Sequence, residues 1–236
     1  MKFGDRNYIG LLKFGEKEHM QALYNKGLLY LNTFDYFKSL EFCSDGRADS
    51  FEAVGEYYSG DDIDKMNITI EFGEEKHILS RKGGTLGIAI TDKPVKYSHL
   101  YSMTSIDTNW TKKNNLLIDE KNFASGKDYV VIIYDTVAFL NRLRKYIIEN
   151  NYICQSGFIE YVDQDGYSGE MGCFKKFNNY SYQNEWRLAL SCWHTQEPIK
   201  IELGSLSDIA HPPIDKQNFF NMSYRIETNM EPVKQA

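Results

Sequence analysis

The sequence predicts an α+β fold in a single domain over residues 1–236, and three observations predict it. Segments with strand character mostly follow one another directly. Only three stretches repeat apolar residues at helical spacing, and no regular helical crossover separates successive strands as a doubly wound sheet requires. Taken in order, the apolar run Tyr8 to Phe14 reads as a strand. Glu16 to Lys26 follows as a helix with Met20, Leu23 and Tyr24 on one face. Gly27 is its stop, because glycine accepts the left-handed backbone that ends helices. Leu28 to Asn32 is a second strand, and Thr33 to Leu40 a short helix turning Phe34, Phe37 and Leu40 toward a core. Glu41 to Glu52 is polar, and its Asp45-Gly46-Arg47-Ala48-Asp49 stretch has the composition of a loop.

In the middle of the chain Met66 to Phe72, His77 to Arg81, Leu86 to Ile90 and Tyr97 to Ile106 all read as strands. Asp128 to Tyr134 is a further β-prone run, after which Asp135 or Thr136 caps a helix. In that helix Phe139, Leu140, Leu143, Tyr146 and Ile147 recur at helical spacing until Asn150-Asn151. Strands are expected at Tyr152 to Val162, Glu185 to Cys192, Ile199 to Leu203 and Met222 to Glu227. Asp163 to Asn184, rich in Gly, Asn and Tyr, reads as a loop. No repeat, low-complexity tract or Pro/Ser-rich linker divides the chain.

With 33 acidic and 27 basic side chains the net charge is −6, which argues against a generic cationic nucleic-acid coat. A hydrophobic share of 42% and a charged share of 25% fall in the globular range and predict a sizeable core. The aromatics are numerous, 17 Tyr, 14 Phe and 3 Trp, enough to serve a core and a stacking cleft. Cys43, Cys154, Cys173 and Cys192 show no C-x-x-C spacing, which speaks against a zinc ribbon and against a disulfide scaffold. The five histidines are scattered and no H-E-x-x-H helix is present, so no metal is expected. Met1 to Asn7 lacks an apolar signal region and no stretch approaches the roughly 18 apolar residues of a membrane span, so a cytoplasmic protein without a membrane partner is expected.

Walker, nucleophile-elbow and dinucleotide-fingerprint patterns are missing, since Gly83-Gly84 and Gly87 have neither the spacing nor a following helix. What remains is a scattered set: Lys13-Phe14-Gly15 ending the first strand, Tyr30-Leu31-Asn32 on the second, Arg47 in the polar loop, and Tyr182-Gln183-Asn184-Glu185-Trp186-Arg187 opening a late strand. This layout resembles the ADP-ribosyltransferase fold, most closely bacterial toxins of the DarT kind and phage-defence transferases. The resemblance implies split mixed or antiparallel sheets with a few flanking helices, and NAD as co-substrate without a metal. It implies that Phe14 and Tyr30 with Asn32 line the nicotinamide pocket, that Arg47 contacts the dinucleotide and that Glu185 is catalytic. The first-strand His of diphtheria-toxin-like transferases and the S-T-S strand of the arginine-specific class are both missing from this sequence.

The chemistry asked of these residues can be stated physically. Breaking the ribose–nicotinamide bond develops positive charge on the anomeric carbon, which the Glu185 carboxylate would stabilise. The same group could hydrogen-bond a ribose hydroxyl or accept the proton of the incoming nucleophile. Arg47 would grip the pyrophosphate through its planar pair of donors, and Phe14 or Tyr30 would stack on the pyridinium. Blander readings stand beside each of these. Glu185 is also a fit strand-end partner of Arg187, Arg47 a surface partner of Asp45 or Asp49, Phe14 and Tyr30 core aromatics, and Asn32 a cap for the helix at Thr33. His99 reads as a hydrogen-bonded structural histidine.

Three functions follow as expectations. The first is an ADP-ribosyltransferase acting on a nucleic acid, single-stranded RNA or DNA. The second is a nucleotide-binding module of the same fold without turnover, and the third a protein-modifying transferase. For a nucleic-acid acceptor, Lys175, Lys176, Phe177, Tyr180 and Tyr182, together with Lys112-Lys113, are the candidate contacts, because aromatic stacking holds unpaired bases. The resemblance further implies a place in anti-phage defence and an inhibitory antitoxin protein as partner.

Overall fold

The computed structural model describes residues 8–39, 54–63, 67–72, 75–80, 87–90, 97–107, 118–123, 126–192 and 195–222. It is an α+β fold built on a mainly antiparallel sheet with few helices. The chain opens with β1 (Tyr8–Gly15), α1 (Lys17–Lys26), β2 (Leu28–Thr33) and α2 (Phe34–Ser39). Gly27 closes α1 in the left-handed region at φ 60°, and its N–H is donated back to Leu23. A Cβ there would lie 2.4 Å from the carbonyl oxygen of Gly204, so this position requires glycine for space as well as for φ.

A short strand β3 (Glu56–Ser59) and a helical turn α3 (Gly60–Ile63) come next, then the hairpin strands β4 (Asn67–Phe72) and β5 (Glu75–Ser80), and β6 (Gly87–Ile90), which pairs with β3. The strand that organises the fold is β7 (His99–Asp107). Along its other edge runs β13 (Glu185–Ser191), which in turn pairs with β9 (Ile153–Phe158). The remaining edge of β7 is shared. β2 takes Leu100 and His99, while β1 takes Thr104 to Asp107. Tyr101, Ser102 and Met103 lie between, where β1 and β2 part, and β1 continues from Leu12 to Gly15 paired with β8 (Tyr129–Ile133) instead. The sheet is therefore split, and the split is where its carbonyls and amides must find other partners.

After β8, Asp135 rather than Thr136 caps α4 (Thr136–Glu149), its carboxylate accepting from the Ala138 N–H at 2.9 Å. The helix buries Phe139, Leu140, Leu143 and Ile147 against Leu11, Val131, Trp186 and Leu188, the inner face of the sheet. Four aliphatic or aromatic side chains buried at roughly 1.5–3 kcal/mol each are enough to fix this helix on the sheet.

Two sequence expectations need correction. Tyr152 to Val162 is not one strand. At Ile159 the chain leaves β13, its N–H donating to the Glu185 carbonyl at 2.9 Å, and β10 (Glu160–Val162) then pairs in parallel with β12 (Lys175–Phe177). Asp163 to Asn184 is not simply loop, because it holds β11 (Ser168–Glu170), which pairs with β3, then β12 and a 3₁₀ helix from Asn178 to Gln183. Strands of three residues are too short for an alternating pattern to show. The described residues end with β14 (Ile199–Glu202) beside β2, β15 (Ile214–Asp215) beside β8, and α5 (Lys216–Asn221). The strand expected at Met222 to Glu227 falls, beyond Met222, outside the described residues. Among the described residues no helix is long and apolar enough to cross a membrane.

Candidate active site in the split sheet

The split between β1 and β7 opens a cleft of about 540 Å³. Its walls come from Leu12 to Gly15 of β1, Leu100 to Thr104 of β7, the face of α1, and Tyr30 and Asn32 of β2. Glu185, the first residue of β13, stands in the same wall, opposite Thr104 in the ladder. The turn that delivers it is tightly held. Asn184 adopts φ 37°, its carbonyl accepts from both the N–H and the hydroxyl of Ser105 at 2.8 Å, and its amide returns a bond to the Ser105 carbonyl at 2.7 Å. The Glu185 N–H donates to the Tyr161 hydroxyl at 2.9 Å. Backbone on both sides of the carboxylate is thus anchored to neighbouring strands.

Glu185 is 6% exposed, and its side chain lies between two buried cations. Arg187 Nε reaches Oε1 at 2.6 Å and Lys176 Nζ reaches Oε2 at 3.0 Å. Arg187 also donates to the Cys173 carbonyl at 2.7 Å, and Lys176 to Gln183 Oε1 at 2.9 Å, so both cations have second partners. Burial by itself would raise the carboxyl's pKa. The charges of Arg187 and Lys176, with hydrogen bonds from Arg187 and Ser102, instead hold it well below the usual carboxylate range. The group is a fixed negative charge buried in the cleft wall.

Lys13 lies in the same cleft. Its Nζ crosses the split to donate to the Ser102 carbonyl at 2.6 Å and lies 4.3 Å from the centre of the Tyr101 ring. Burial and the nearby charge of Lys127 lower its pKa to about 7, against the opposing pull of Glu185. At the rim, Asn122 donates to the Tyr182 carbonyl at 3.2 Å and ties the 3₁₀ turn of residues 120–122 to that of 178–183. Lys121 sits 5.4 Å from the Tyr182 ring there, and Lys127 also lines the cleft.

The sequence-derived candidates are distributed unevenly. Phe14, Tyr30, Asn32, Lys176, Tyr182 and Glu185 all line the cleft. The Phe14 ring nevertheless packs edge-on against Phe123 at 4.6 Å, whereas Tyr30 is 46% exposed. Asn32 leaves the capping of α2 to Thr33, whose hydroxyl accepts from the Tyr36 N–H at 3.2 Å. Tyr180 lies 5.4 Å from Lys176 Nζ, and Lys175 turns to Glu170 and Glu160. Phe177 goes to a separate core beside Tyr57, with the ring centres 4.7 Å apart, where no base could stack on it. Arg47 lies outside the described residues. His99 is fully buried, its ring nitrogens facing the Ser98 hydroxyl at 2.8 Å and the Glu197 carbonyl at 3.0 Å.

Sequence reasoning gave Lys13 no role and took Lys176 for an acceptor contact rather than a partner of Glu185. A signal for Lys13 existed. In an apolar strand the two-residue period puts it on the side of Leu11, a core position. For Lys121 and Lys127 no local signal existed, because only the tertiary fold brings them to the rim. Among the described residues no group of His, Cys, Asp or Glu is placed to hold a metal ion. Compared with known proteins, the chain matches no family model, no curated protein and no solved structure.

Proposed function

We propose that the protein is an NAD-dependent ADP-ribosyltransferase of the split-sheet kind that its sequence layout resembles, with a nucleic acid as acceptor. The observation that carries this reading is Glu185, an ionised, buried carboxylate at the head of a strand in the wall of a cleft between two parted strands. A fixed, buried negative charge is what a developing oxocarbenium needs, and its stabilisation requires no reorganisation during the reaction. A cleft of about 540 Å³ is within the range of small-ligand sites. The cations Lys121 and Lys127 suit the charge of a dinucleotide pyrophosphate, and Tyr30 offers a ring for the pyridinium.

Nicotinamide leaves as the glycosidic bond breaks, Glu185 holds the ribosyl cation, and the nucleophile attacks the anomeric carbon. Lys121, Lys176, Tyr180 and Tyr182 gather near the head of β13, and an unpaired base stacked on a half-buried tyrosine there gains roughly 1–3 kcal/mol. Single-stranded RNA or DNA is the favoured acceptor on that ground. The toxin and anti-phage setting, and an antitoxin partner, rest on the resemblance alone. A second reading has its own observation. The two cations on Glu185 make a closed ion-pair network, which also suits a nucleotide-binding module without turnover. Incubation of the protein with NAD, followed by mass analysis of cellular RNA, DNA and protein, tests the proposal. Labelled nucleic acid supports it, labelled protein alone redirects it to a protein acceptor, and binding without any nicotinamide release favours the module.

A further inference from the structure

The transfer just proposed releases one proton, and the present inference rests on that reading. An N–H or O–H of the acceptor attacks the anomeric carbon, the glycosidic bond breaks with its electron pair passing into the pyridinium ring, and the acceptor's proton has to be taken up. Glu185 is a weak candidate to take it. Arg187, Lys176 and Ser102 engage its oxygens, and a carboxylate held that firmly in its ionised form has little basicity left. Burial pushes the Tyr101 hydroxyl far above its ordinary range, so its phenolate is out of reach. Glu16 and His19 border the cleft but are exposed and pair with one another at 3.9 Å.

Lys13 has a different environment. Its hydrogen bond goes to a neutral carbonyl, its underside meets an aromatic face, and Lys127 adds a second positive charge nearby. Lys121, Lys176 and Arg187 add more positive charge to the cleft wall, with Glu185 the buried carboxylate set against them. An amine in these surroundings is held close to the point of losing its proton at neutral pH. We propose that Lys13 is the general base of the transfer, accepting the acceptor's proton on Nζ while Glu185 remains ionised against the ribosyl cation. The charge balance of the cleft favours this division of labour. In the step that gives Lys13 a positive charge, the pyridinium loses one, so the cleft carries the same total before and after. The Tyr101 face stabilises the ammonium as it forms. Solvent takes the proton once nicotinamide has gone.

The test compares wild type, Lys13→Arg and Lys13→Met in the full chain, supplied with NAD and total cellular RNA or denatured DNA, by nicotinamide release as a function of pH. Wild type should speed up with rising pH through a midpoint near 7. Lys13→Arg, which keeps the charge but cannot give up its proton, should be slower by about 10²- to 10⁴-fold with that limb lost and KM for NAD little changed. Lys13→Met should be equally slow, and melting curves show that both variants are folded. Either folded variant within tenfold of wild type overturns the proposal. A second measurement needs no transfer at all: acetylation of Lys13 by acetic anhydride, followed by mass spectrometry across pH, reads its titration directly. A midpoint near 7 supports the base role, and one near 10 overturns it. If wild type releases no nicotinamide while Lys13 titrates near 7, the transferase reading fails and the base role falls with it. If wild type and Lys13→Arg release it equally, the base role alone fails.

Discussion

Arg187 Nε meets Glu185 Oε1 at 2.6 Å although the two residues are on one strand, because side chains two positions apart leave the same face of a β-strand. Both are nearly inaccessible, and Lys176 closes the arrangement from β12. In such a cluster the proposed function and the stability of the fold depend on the same carboxylate.

Glu185→Gln should abolish transfer, because the amide lacks the negative charge set against the ribosyl cation. It should also lower the melting temperature, since Arg187 and Lys176 stay buried with their shared counter-charge gone. Breaking one side of a buried pair typically costs about 3–5 kcal/mol. Thermal unfolding and nicotinamide release measured on the same preparation check both. A variant that is as stable as wild type would contradict the geometry of the cluster.

The pH dependence of stability follows with its sign. The folded-state pKa of Glu185 is depressed below an unfolded value of about 4.3, so its contribution is complete above that value and is lost as pH falls below it toward the folded value. Unfolding midpoints in urea should therefore fall steeply below about pH 4 in wild type. Lys176→Met removes one of the two charges that depress Glu185, and should flatten this acid limb.

For Lys13 the sign is opposite. A lysine whose folded pKa is about 7 opposes folding whenever the unfolded chain is protonated. The cost is complete below pH 7 and disappears as pH rises toward about 10.4, the unfolded value. Lys13→Met should accordingly be more stable than wild type, by on the order of a few kcal/mol at pH 6 and by little near pH 10. Equal gains at both pH values would show that the amine is not buried as a charge.

Phe177 and Tyr182 separate packing from acceptor binding. Phe177→Ala empties a site in the core beside Tyr57 and should cost about 3–5 kcal/mol in stability. Tyr182→Ala alters a half-buried ring at the cleft mouth, and should leave the melting temperature within about 1 kcal/mol equivalent while weakening the binding of single-stranded RNA. Measured in parallel, the pair shows whether the segment before Glu185 serves the fold, the acceptor or both.

Long strands and α4 were legible in the sequence because their apolar periods extend over enough residues to be distinctive. Tyr8 to Phe14, Asp128 to Tyr134 and the helix after Asp135 needed little adjustment. The breaks came where a few residues answer to distant partners. Ile159 interrupts a strand because of the Glu185 carbonyl, and β12 exists because β10 lies beside it. The candidate site was legible as a set of positions, Phe14, Tyr30, Asn32 and Glu185, that the fold brings to one cleft. What surrounds Glu185 was less so. That Lys176 is its ion-pair partner depends on β12 bringing that side chain to the first residue of β13, and the places of Lys13 and Lys127 in the cleft depend on the split itself.

That split has a consequence for how the molecule is made. The cleft's walls are drawn from segments far apart in sequence: β1 and β2 are synthesised before β7, and β13 with Glu185 only after it. The Lys13 bond to Ser102 alone spans 89 positions. A nascent chain halted anywhere before β13 lacks the Glu185 carboxylate. Competence for the proposed reaction is then acquired only once β13 is in place, after every other wall of the cleft has been made.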